Sequence, residues 1–432
     1  MHRSSPLLVL ASVLTLASFQ AHGIGLFSWN VDASGSWEDS HDWTLSGSSP
    51  NSYPNGSLDV ASFDYPITAP RTVTVYQASP ETLTVNSIIF DSTESYSIVP
   101  YSNVEIVLSS DNALFGNITV LSGAHTISTG LNSPSIISLQ TGGEGPGSVI
   151  LAGSNSYFAD TLIGSGMTLM VGSTQALSPN STYNISSGGT LVLGTGGTYY
   201  DSRMSYLTDD ESGGPWTVSM GSANLLLLNG GDFDGVIEGS GGIFLVGGTL
   251  ALQGVNTFTG YSIAYSGTEL SLNGSGSLSC PIQVGGNFSI AGITPSAYVF
   301  NQVLAGTGLV TLGSKTFEFA SAETSTYSGS FTGSGGITIS NGSVVLNGRT
   351  VTSDYSGTTT ISNSANLTAA TANCMSPNSP IYLAGTGSFV VQGSNTVLSI
   401  SGDSDNNYTI DIQNTDLSLL QGGGMDINFG GV

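Results

Sequence analysis

The chain has 432 residues, of which 59 are glycine and only 8% are charged. Acidic residues outnumber basic ones 29 to 5, and the net charge of −24 excludes nucleic-acid binding, which depends on clustered Lys and Arg. Anionic membrane surfaces are disfavoured for the same reason. Hydrophobic residues still make up 39% of the chain and fall in short alternating runs, so the sequence predicts a β core rather than disorder.

The first 23 residues have the pattern of a secretory signal peptide. Arg3 gives a short basic start, an apolar run covers 6–16, and Ala-His-Gly at 21–23 suits the cleavage site. A membrane helix is the alternative, but it needs about 20 apolar residues and this run is shorter. The next most apolar segment, 224–231, is interrupted by asparagine and glycine. We therefore predict an exported chain with no transmembrane helix in its mature part.

One pattern recurs seven times between residues 147 and 400. Its best copy is GGTLALQGVNTFTG at 247–260, with apolar residues at every second position, then glycine, asparagine, an aromatic residue and glycine. Alternation predicts half-buried strands, and Gly and Asn tolerate the positive φ that tight corners need. At 333–348, two such strands are separated by Ser-Asn-Gly at 340–342. The marker glycines of the seven copies are Gly153, Gly194, Gly230, Gly254, Gly313, Gly348 and Gly393.

The repeats predict an all-β protein, a right-handed parallel β-helix or β-solenoid. Gaps between marker glycines range from 24 to 59 residues, so the longer gaps hold several coils, and no helical pattern lies between them. A single coil cannot bury its apolar face, whereas stacked coils share one core. A tandem of β-sandwiches is the alternative, but the units are too short for it. In the predicted register, Leu250 and Leu252 point into the core, while Thr249 and Ala251 point away from it.

The repeat resembles the autotransporter-associated β-strand repeat, which occurs in passenger domains of bacterial outer-membrane autotransporters and in related exported adhesin-like proteins. Residues 239–272 follow the family's order of a Gly-rich lead, a strand ending in Leu-x-Gly, an Asn-Thr-aromatic-x-Gly corner and a second strand. The resemblance implies a parallel β-helix and a bacterial protein that is secreted or associated with the outer membrane, with adhesion and virulence as the typical roles. The signature points are Leu252, Gly254, Asn256, Phe258 and Gly260.

The two ends of the chain match this family differently. Residues 24–100, with their spaced tryptophans, are similar to the start of such passengers, and we predict an aromatic-rich β capping region there, followed by solenoid repeats over 101–432. Complete autotransporters end in a translocator barrel built of amphipathic strands, whereas 408–432 offers a couple of strands and then glycine. We therefore expect a passenger-like secreted protein, a product that needs a separate exporter, or a truncated gene.

No stretch has a convincing catalytic pattern, and we predict no catalytic, cofactor-binding or metal-binding residues. The mature chain keeps two histidines, and His41, between Asp39 and Asp42, is expected in a solvated turn. His125 belongs to no recognisable constellation. A polysaccharide-active enzyme is the alternative, but lyases need basic residues, of which four dispersed ones remain after cleavage. Hydrolases need two or three carboxylates that face one cleft.

Three acidic stretches could supply such carboxylates or bind Ca²⁺. Neighbours on a strand face opposite sides, so the run at 209–211 is expected to be an acidic, solvated loop. The other two stretches place oxygens at alternate positions but have neither the glycine and Glu of an EF-hand nor tandem nonapeptides, so plain loops are favoured over weak Ca²⁺ sites. The residues concerned are Asp209, Asp210, Glu211, Asp232, Asp234, Asp403, Asp405 and Asn407.

Cys280 and Cys374 occupy equivalent positions, each 26 residues after a marker glycine. The chain between them makes about four or five coils, so the two positions lie roughly 20 Å apart along the solenoid axis. A disulfide requires Cα atoms within about 7 Å. Although exported cysteines usually pair, we predict no disulfide between these two within one molecule. Each is expected to be a half-buried apolar side chain with a free thiol or, if exposed, a group for intermolecular bonding.

The predicted export, the repeats and the lack of a catalytic pattern together predict a structural or adhesive protein. Such a protein would present loops rich in Ser, Thr, Asn and aromatic residues to a host surface, a matrix or a glycan. An enzyme acting on polysaccharide from the same solenoid is the main alternative, and an envelope or sheath component without a ligand is another. No cofactor is predicted.

Overall fold

The structure is a computed structural model whose described residues form β-strands and turns, with no helix among them. Nearly all strand pairs are parallel and join one coil to the next, so the coils stack as a β-solenoid, with about 15 turns counted over the two units described below. The predicted all-β solenoid is therefore confirmed. The predicted signal peptide, 1–23, lies outside the described residues. The structure describes residues 24–76, 82–109, 115–134, 136–141, 147–158, 160–348, 352–403, 408–413 and 415–419.

The chain divides into two compact units, residues 1–159 with 166–168 and residues 160–165 with 169–432. The strands of the first unit are β1 (Gly25–Trp29), β2 (Gly35–Ser36), β3 (Trp43–Gly47), β4 (Gly56–Phe63), β5 (Arg71–Val75), β6 (Leu83–Asp91), β7 (Tyr96–Pro100), β8 (Glu105–Leu108), β9 (Phe115–Ser122), β10 (Ala124–Ile127), β11 (Gly130–Asn132), β12 (Ile136–Thr141) and β13 (Ser148–Leu151). Strand β1 pairs with β4 in parallel and with β3 in the antiparallel direction.

The strands from residue 161 onward belong to the second unit, apart from the first residue of β15. They are β14 (Thr161–Ile163), β15 (Thr168–Val171), β16 (Thr182–Ile185), β17 (Thr190–Val192), β18 (Gly194–Thr195), β19 (Thr198–Tyr199), β20 (Ser202–Asp209), β21 (Thr217–Ser219), β22 (Leu225–Phe233), β23 (Val236–Glu238), β24 (Ile243–Leu245), β25 (Thr249–Leu252), β26 (Ser262–Ala264), β27 (Glu269–Gly274), β28 (Ile282–Val284), β29 (Asn287–Ile293), β30 (Ala297–Phe300), β31 (Leu304–Gly306), β32 (Leu309–Gly313), β33 (Thr316–Phe319), β34 (Thr324–Tyr327), β35 (Ser330–Gly333), β36 (Ile337–Ile339), β37 (Ser343–Leu346), β38 (Asp354–Tyr355), β39 (Thr359–Ile361), β40 (Asn366–Ala369), β41 (Ile381–Leu383), β42 (Ser388–Val391), β43 (Asn395–Val397), β44 (Ile400–Gly402), β45 (Thr409–Ile412) and β46 (Leu417–Leu419).

Well-formed coils of the second unit have three strands, one in each of three parallel ladders. One coil contains β28, β29 and β30, and each of these pairs with the corresponding strand β31, β32 or β33 of the next coil. Short turns join the strands of a coil. The predicted corner at 340–342 is confirmed between β36 and β37, where Gly342 has a φ of 62° that suits glycine.

Side chains alternate between the core and the surface, as strand geometry requires. Leu250 and Leu252 are fully buried, Thr249 is exposed and Ala251 is half-buried, so the predicted register is confirmed. Stacking extends this pattern from coil to coil, because residues in register occupy the same place in successive coils. One such buried column consists of Leu250, Leu270, Phe288, Val310 and Phe331.

This register predicts that Leu252→Asp lowers the free energy of unfolding by several kcal/mol, about 3 or more, because it buries a charge without a partner. Ala251→Asp, on the neighbouring outward position, should change it by about 1 kcal/mol or less. Urea unfolding of the two variants measures both values. Equal losses would show that the two side chains do not point to opposite sides of β25.

Aromatic side chains fill the beginning of the first unit. The rings of Trp29 and Trp37 lie 5.1 and 5.3 Å from the ring of Trp43, and all three indoles are buried. Phe63 packs against this group and stacks on Phe90 of the next coil at 5.3 Å. Aromatic pairs in such geometries stabilise a core beyond their buried area. The aromatic residues predicted for 24–100 thus lie in the core at the start of this region, while its boundary at residue 100 stays a prediction.

The Gly-x-Asn corner of the repeat joins three successive coils. The Asn256 side chain is fully buried, and its Oδ1 accepts the N–H of Ile237, 19 residues earlier, at 3.0 Å. Its Nδ2 donates to the carbonyl oxygens of Gly254 at 2.9 Å and of Ser277 at 3.3 Å. A Cβ atom on Gly254 would lie 1.9 Å from the carbonyl oxygen of Gly235, so only glycine fits. The repeat motif is therefore a structural element that pairs backbone groups where the ladder is interrupted.

The same bond is made by different side chains elsewhere. Counting Asn256, six corners among the described residues have a buried acceptor that takes the N–H of a residue 19 to 24 positions earlier, which is one coil away. Asparagine, serine and tyrosine all serve, because each offers an oxygen lone pair. The donor and acceptor pairs are Leu131 with Asn155, Ile237 with Asn256, Leu278 with Tyr298, Leu304 with Ser325, Phe331 with Ser353, and Met375 with Asn395.

We predict that Asn256→Val costs about 1–3 kcal/mol, because it leaves the buried N–H of Ile237 without an acceptor. Asn256→Ser should cost less, since serine performs this function at two other corners. Thr257→Ala, on the exposed neighbour, is the control and should be close to neutral. Thermal or urea unfolding tests the order of the three variants. If the valine variant is as stable as the serine variant, the corner bond does not stabilise the coil.

Candidate functional site

His41 lies in an exposed turn. Its side chain is 92% exposed, and its Nδ1 lies 2.9 Å from Asp39 Oδ1. The backbone N–H and the ring of His41 lower the pKa of the Asp39 carboxyl, whereas burial and the neighbouring Asp39 raise the pKa of Asp42. These groups form a local turn network. Among the described residues, it is not part of a group of three or more His, Cys, Asp or Glu side chains that could hold a metal ion.

His125 is a core residue, which its sequence context did not indicate. Its ring is fully buried and stacks on Phe90 with centroids 4.3 Å apart. Nδ1 accepts the N–H of Tyr96 at 3.1 Å, which leaves Nε2–H to donate to the Ser122 carbonyl oxygen at 2.8 Å. Burial lowers the pKa of His125. The imidazole is therefore a neutral, structural part of the aromatic stack.

This placement predicts a pH dependence of stability. Below the ordinary histidine pKa of about 6.5, the unfolded chain binds a proton at His125 that the folded chain does not, so the free energy of unfolding decreases as the pH falls from about 7 towards 5. His125→Gln should reduce this decrease, while His41→Gln, on the exposed ring, should leave it unchanged. Urea unfolding at several pH values measures it. Identical slopes in wild type and His125→Gln would contradict a neutral buried imidazole.

The coil period brings together two acidic stretches that are separate in sequence. The strands β20 and β22 pair in parallel with Thr208 opposite Asp232, which places Asp209 beside the segment of Asp234. Burial, followed by the charges of Asp209, Asp232 and Glu211, raises the pKa of Asp234. The expected solvated loop is wrong for Asp209, which is buried at 8% exposure. Its Oδ2 accepts the Asp234 N–H at 2.6 Å.

Asp210 also stabilises the backbone at this edge. Its Oδ1 accepts the Trp216 indole N–H at 2.9 Å and the Ser212 hydroxyl at 2.7 Å, and its Oδ2 accepts the Ser187 N–H at 3.3 Å. Burial acts to raise the pKa of Asp210, but these hydrogen bonds outweigh it, so the pKa is lowered. No group of three or more His, Cys, Asp or Glu side chains in the described ranges has the geometry to hold a metal ion.

Both cysteines are free thiols, as predicted, and they are fully buried rather than half-buried. Cys280 Sγ lies 3.2 Å from Ser262 Oγ, and burial raises its pKa to about 11. Cys374 contacts Asn395 of a corner, with Sγ 3.6 Å from Oδ1. Thiols of this kind are poor nucleophiles, so they act as core filling.

Of the third acidic stretch, Asp405 and Asn407 lie outside the described residues.

A surface depression lies on the first unit, beside β8 and β11. Its volume is about 480 Å³, which falls in the range of small-ligand pockets. Phe158 forms one wall and is 80% exposed, whereas its neighbour Tyr157 is fully buried. Two adjacent aromatic residues in an extended segment have to face opposite sides, so the Tyr-Phe pair was a sequence signal for an exposed ring. Of the described residues, those that line it are Val107, Asn132, Ser133, Pro134 and Phe158.

An outward apolar column lies on the second unit. Leu226, Phe244 and Ile263 are in register on successive coils and point away from the core, between Arg203 and Gln283. This explains the four consecutive leucines at 225–228, since two of them point inward and two outward. Exposed residues beside the column are Val246, Tyr261 and Tyr265.

No helix in the described ranges is long and apolar enough to span a membrane.

The fold defines the chain as a β-solenoid protein whose described interior is packed with side chains and whose candidate sites lie on the outside. Comparison with models of known families, with curated proteins and with solved structures finds no match to this chain. The solenoid is compatible with the passenger-like β-helix that the repeat resembles.

Proposed function

We propose that the chain is an exported bacterial protein, secreted or at the cell surface, that serves as a passenger-like structural or adhesive solenoid. The main support is the use of its polar and reactive core groups: His125, Asn256 and both cysteines all bond within the coil stack. The outer face, in contrast, exposes aromatic rings on several coils. Such rings are enriched where proteins recognise ligands. The exposed rings include Tyr76, Tyr101, Phe158, Tyr261 and Tyr265.

The test begins with the full chain, expressed in a bacterial host and recovered after export. We expect its N-terminus near residue 24 and saturable binding to at least one member of an array of glycans and extracellular-matrix proteins. Binding should survive moderate salt, since the chain has few basic groups for charge-driven attachment. A chain that stays in the cytoplasm, or that binds nothing on the array, would contradict the proposal.

A polysaccharide hydrolase is the second candidate, and the acidic edge of β20 and β22 is the observation that favours it. Asp234 has a raised pKa beside other carboxylates, which is the environment of a general acid in glycoside hydrolysis. Both carboxylate oxygens of the neighbouring Asp209, however, already accept backbone N–H groups. A lyase is less favoured, because Arg71, one of the few basic residues, is held in an ion pair with Asp32 at 2.5 Å.

We expect no release of reducing ends from soluble or insoluble polysaccharides by the purified chain. The hydrolase becomes the better proposal if release is observed and Asp234→Asn lowers it by about a hundredfold, the typical contribution of a general acid. Glu238→Gln, on the exposed end of β23, is the matched control and should not change the rate.

A further inference from the structure

The depression beside β8 and β11 combines an exposed ring with fixed polar groups. Val107 and Asn132 are in register on successive coils and both point outward. The Asn132 amide is oriented by Glu105 of the preceding coil, because its Nδ2 donates to Glu105 Oε2 at 3.4 Å. Ser133 is fixed by a bond from its hydroxyl to the Leu108 carbonyl oxygen at 2.8 Å. Phe158 stands beside this polar floor with most of its ring in solvent.

The charge of the depression selects among ligands. None of the lining residues that the structure describes is ionisable, and the carboxylate bonded to the Asn132 amide is that of Glu105. Phosphate, sulfate and uronate groups would find no cation to pair with among the described lining residues and would be repelled by this carboxylate. An anionic ligand is therefore disfavoured, whereas the hydroxyl groups of a neutral ligand can pair with the amide and carboxylate oxygens.

The ring of Phe158 adds a second requirement. An aromatic face carries negative charge density and attracts the polarised C–H groups of a flat ligand. Pyranose rings present such C–H groups on one face and hydroxyl groups at their edges. A sugar ring laid on Phe158 would direct its edge hydroxyls towards Asn132, on the polar floor of the same depression.

We propose that this depression is a binding site for a neutral saccharide, with Phe158 as the stacking platform and Asn132 as the hydrogen-bonding group. The proposal rests on the proposed function and names its ligand class. The depression has a volume of about 480 Å³, and its described lining residues all belong to the first unit.

The test measures binding of the full exported chain to a panel of neutral trisaccharides built from glucose, galactose, mannose and N-acetylglucosamine, with trigalacturonate as the anionic probe. We expect at least one neutral probe to bind and trigalacturonate not to bind. Phe158→Ala should weaken binding about tenfold or more, Phe158→Tyr should preserve it, and Asn132→Ala should weaken it several-fold. Tyr199→Ala removes another exposed ring and should have no effect. Unfolding curves confirm that each variant is folded.

The outcomes separate this inference from the proposed function. If the chain binds a matrix protein or peptide on the array but no neutral saccharide, the adhesive function stands and the saccharide site is wrong. If a saccharide binds equally to wild type and to folded Phe158→Ala, the ligand class stands and this location is wrong. Preferred binding of trigalacturonate would overturn the charge argument.

Discussion

A parallel solenoid has to turn its chain several times in every coil without leaving buried backbone N–H groups unpaired, and the rest of this structure depends on how that is achieved. Along the strands, the ladders pair these groups. At corners, where the ladder stops, a buried side chain such as Asn256 or Ser325 accepts the N–H of the coil before it. Leaving one buried N–H without an acceptor lowers the stability of the fold by about as much as several solvent-exposed contacts raise it. These bonds therefore fix which residue begins each turn, and with it the register of the columns inside.

The sequence predicted the part of this arrangement that repeats. Alternation and Gly-x-Asn spacing were enough for the solenoid, for the strand and corner around 247–260, and for the two unpaired cysteines. Corners that use Ser325, Ser353 or Tyr298 could not be predicted, because serine and tyrosine occur throughout the chain and only the coil below shows which of them is an acceptor. Burial of His125 was equally invisible, since it depends on a ring contributed by another coil.

The candidate sites show the same limit. Asp209 and Asp234 are separated by a full coil in sequence, and only the parallel pairing of β20 with β22 places them side by side. That pairing also shows why they are weak candidates for catalysis, because Asp209 is occupied by backbone donors. The depression at Phe158 depends on three coils whose outward residues have no common motif. The inward side chains of a solenoid are used for packing between coils. Ligand binding therefore depends on the outward side chains, at positions where they depart from the repeat.

The direction of the corner bonds bears on how such a chain is assembled. At six corners the acceptor comes later in the chain than the donor, as with the Asn155 side chain and the Leu131 N–H, whereas at β20 and β22 the buried Asp209 accepts the N–H of the later Asp234. At these six corners, a coil is completed by the coil that follows it. A chain delivered with its N-terminus first would add each turn to the stack already formed, and the donor of such a corner would stay unmatched until the next turn forms. Growth of this kind begins with one costly nucleus and then adds one coil after another to the same end of the stack.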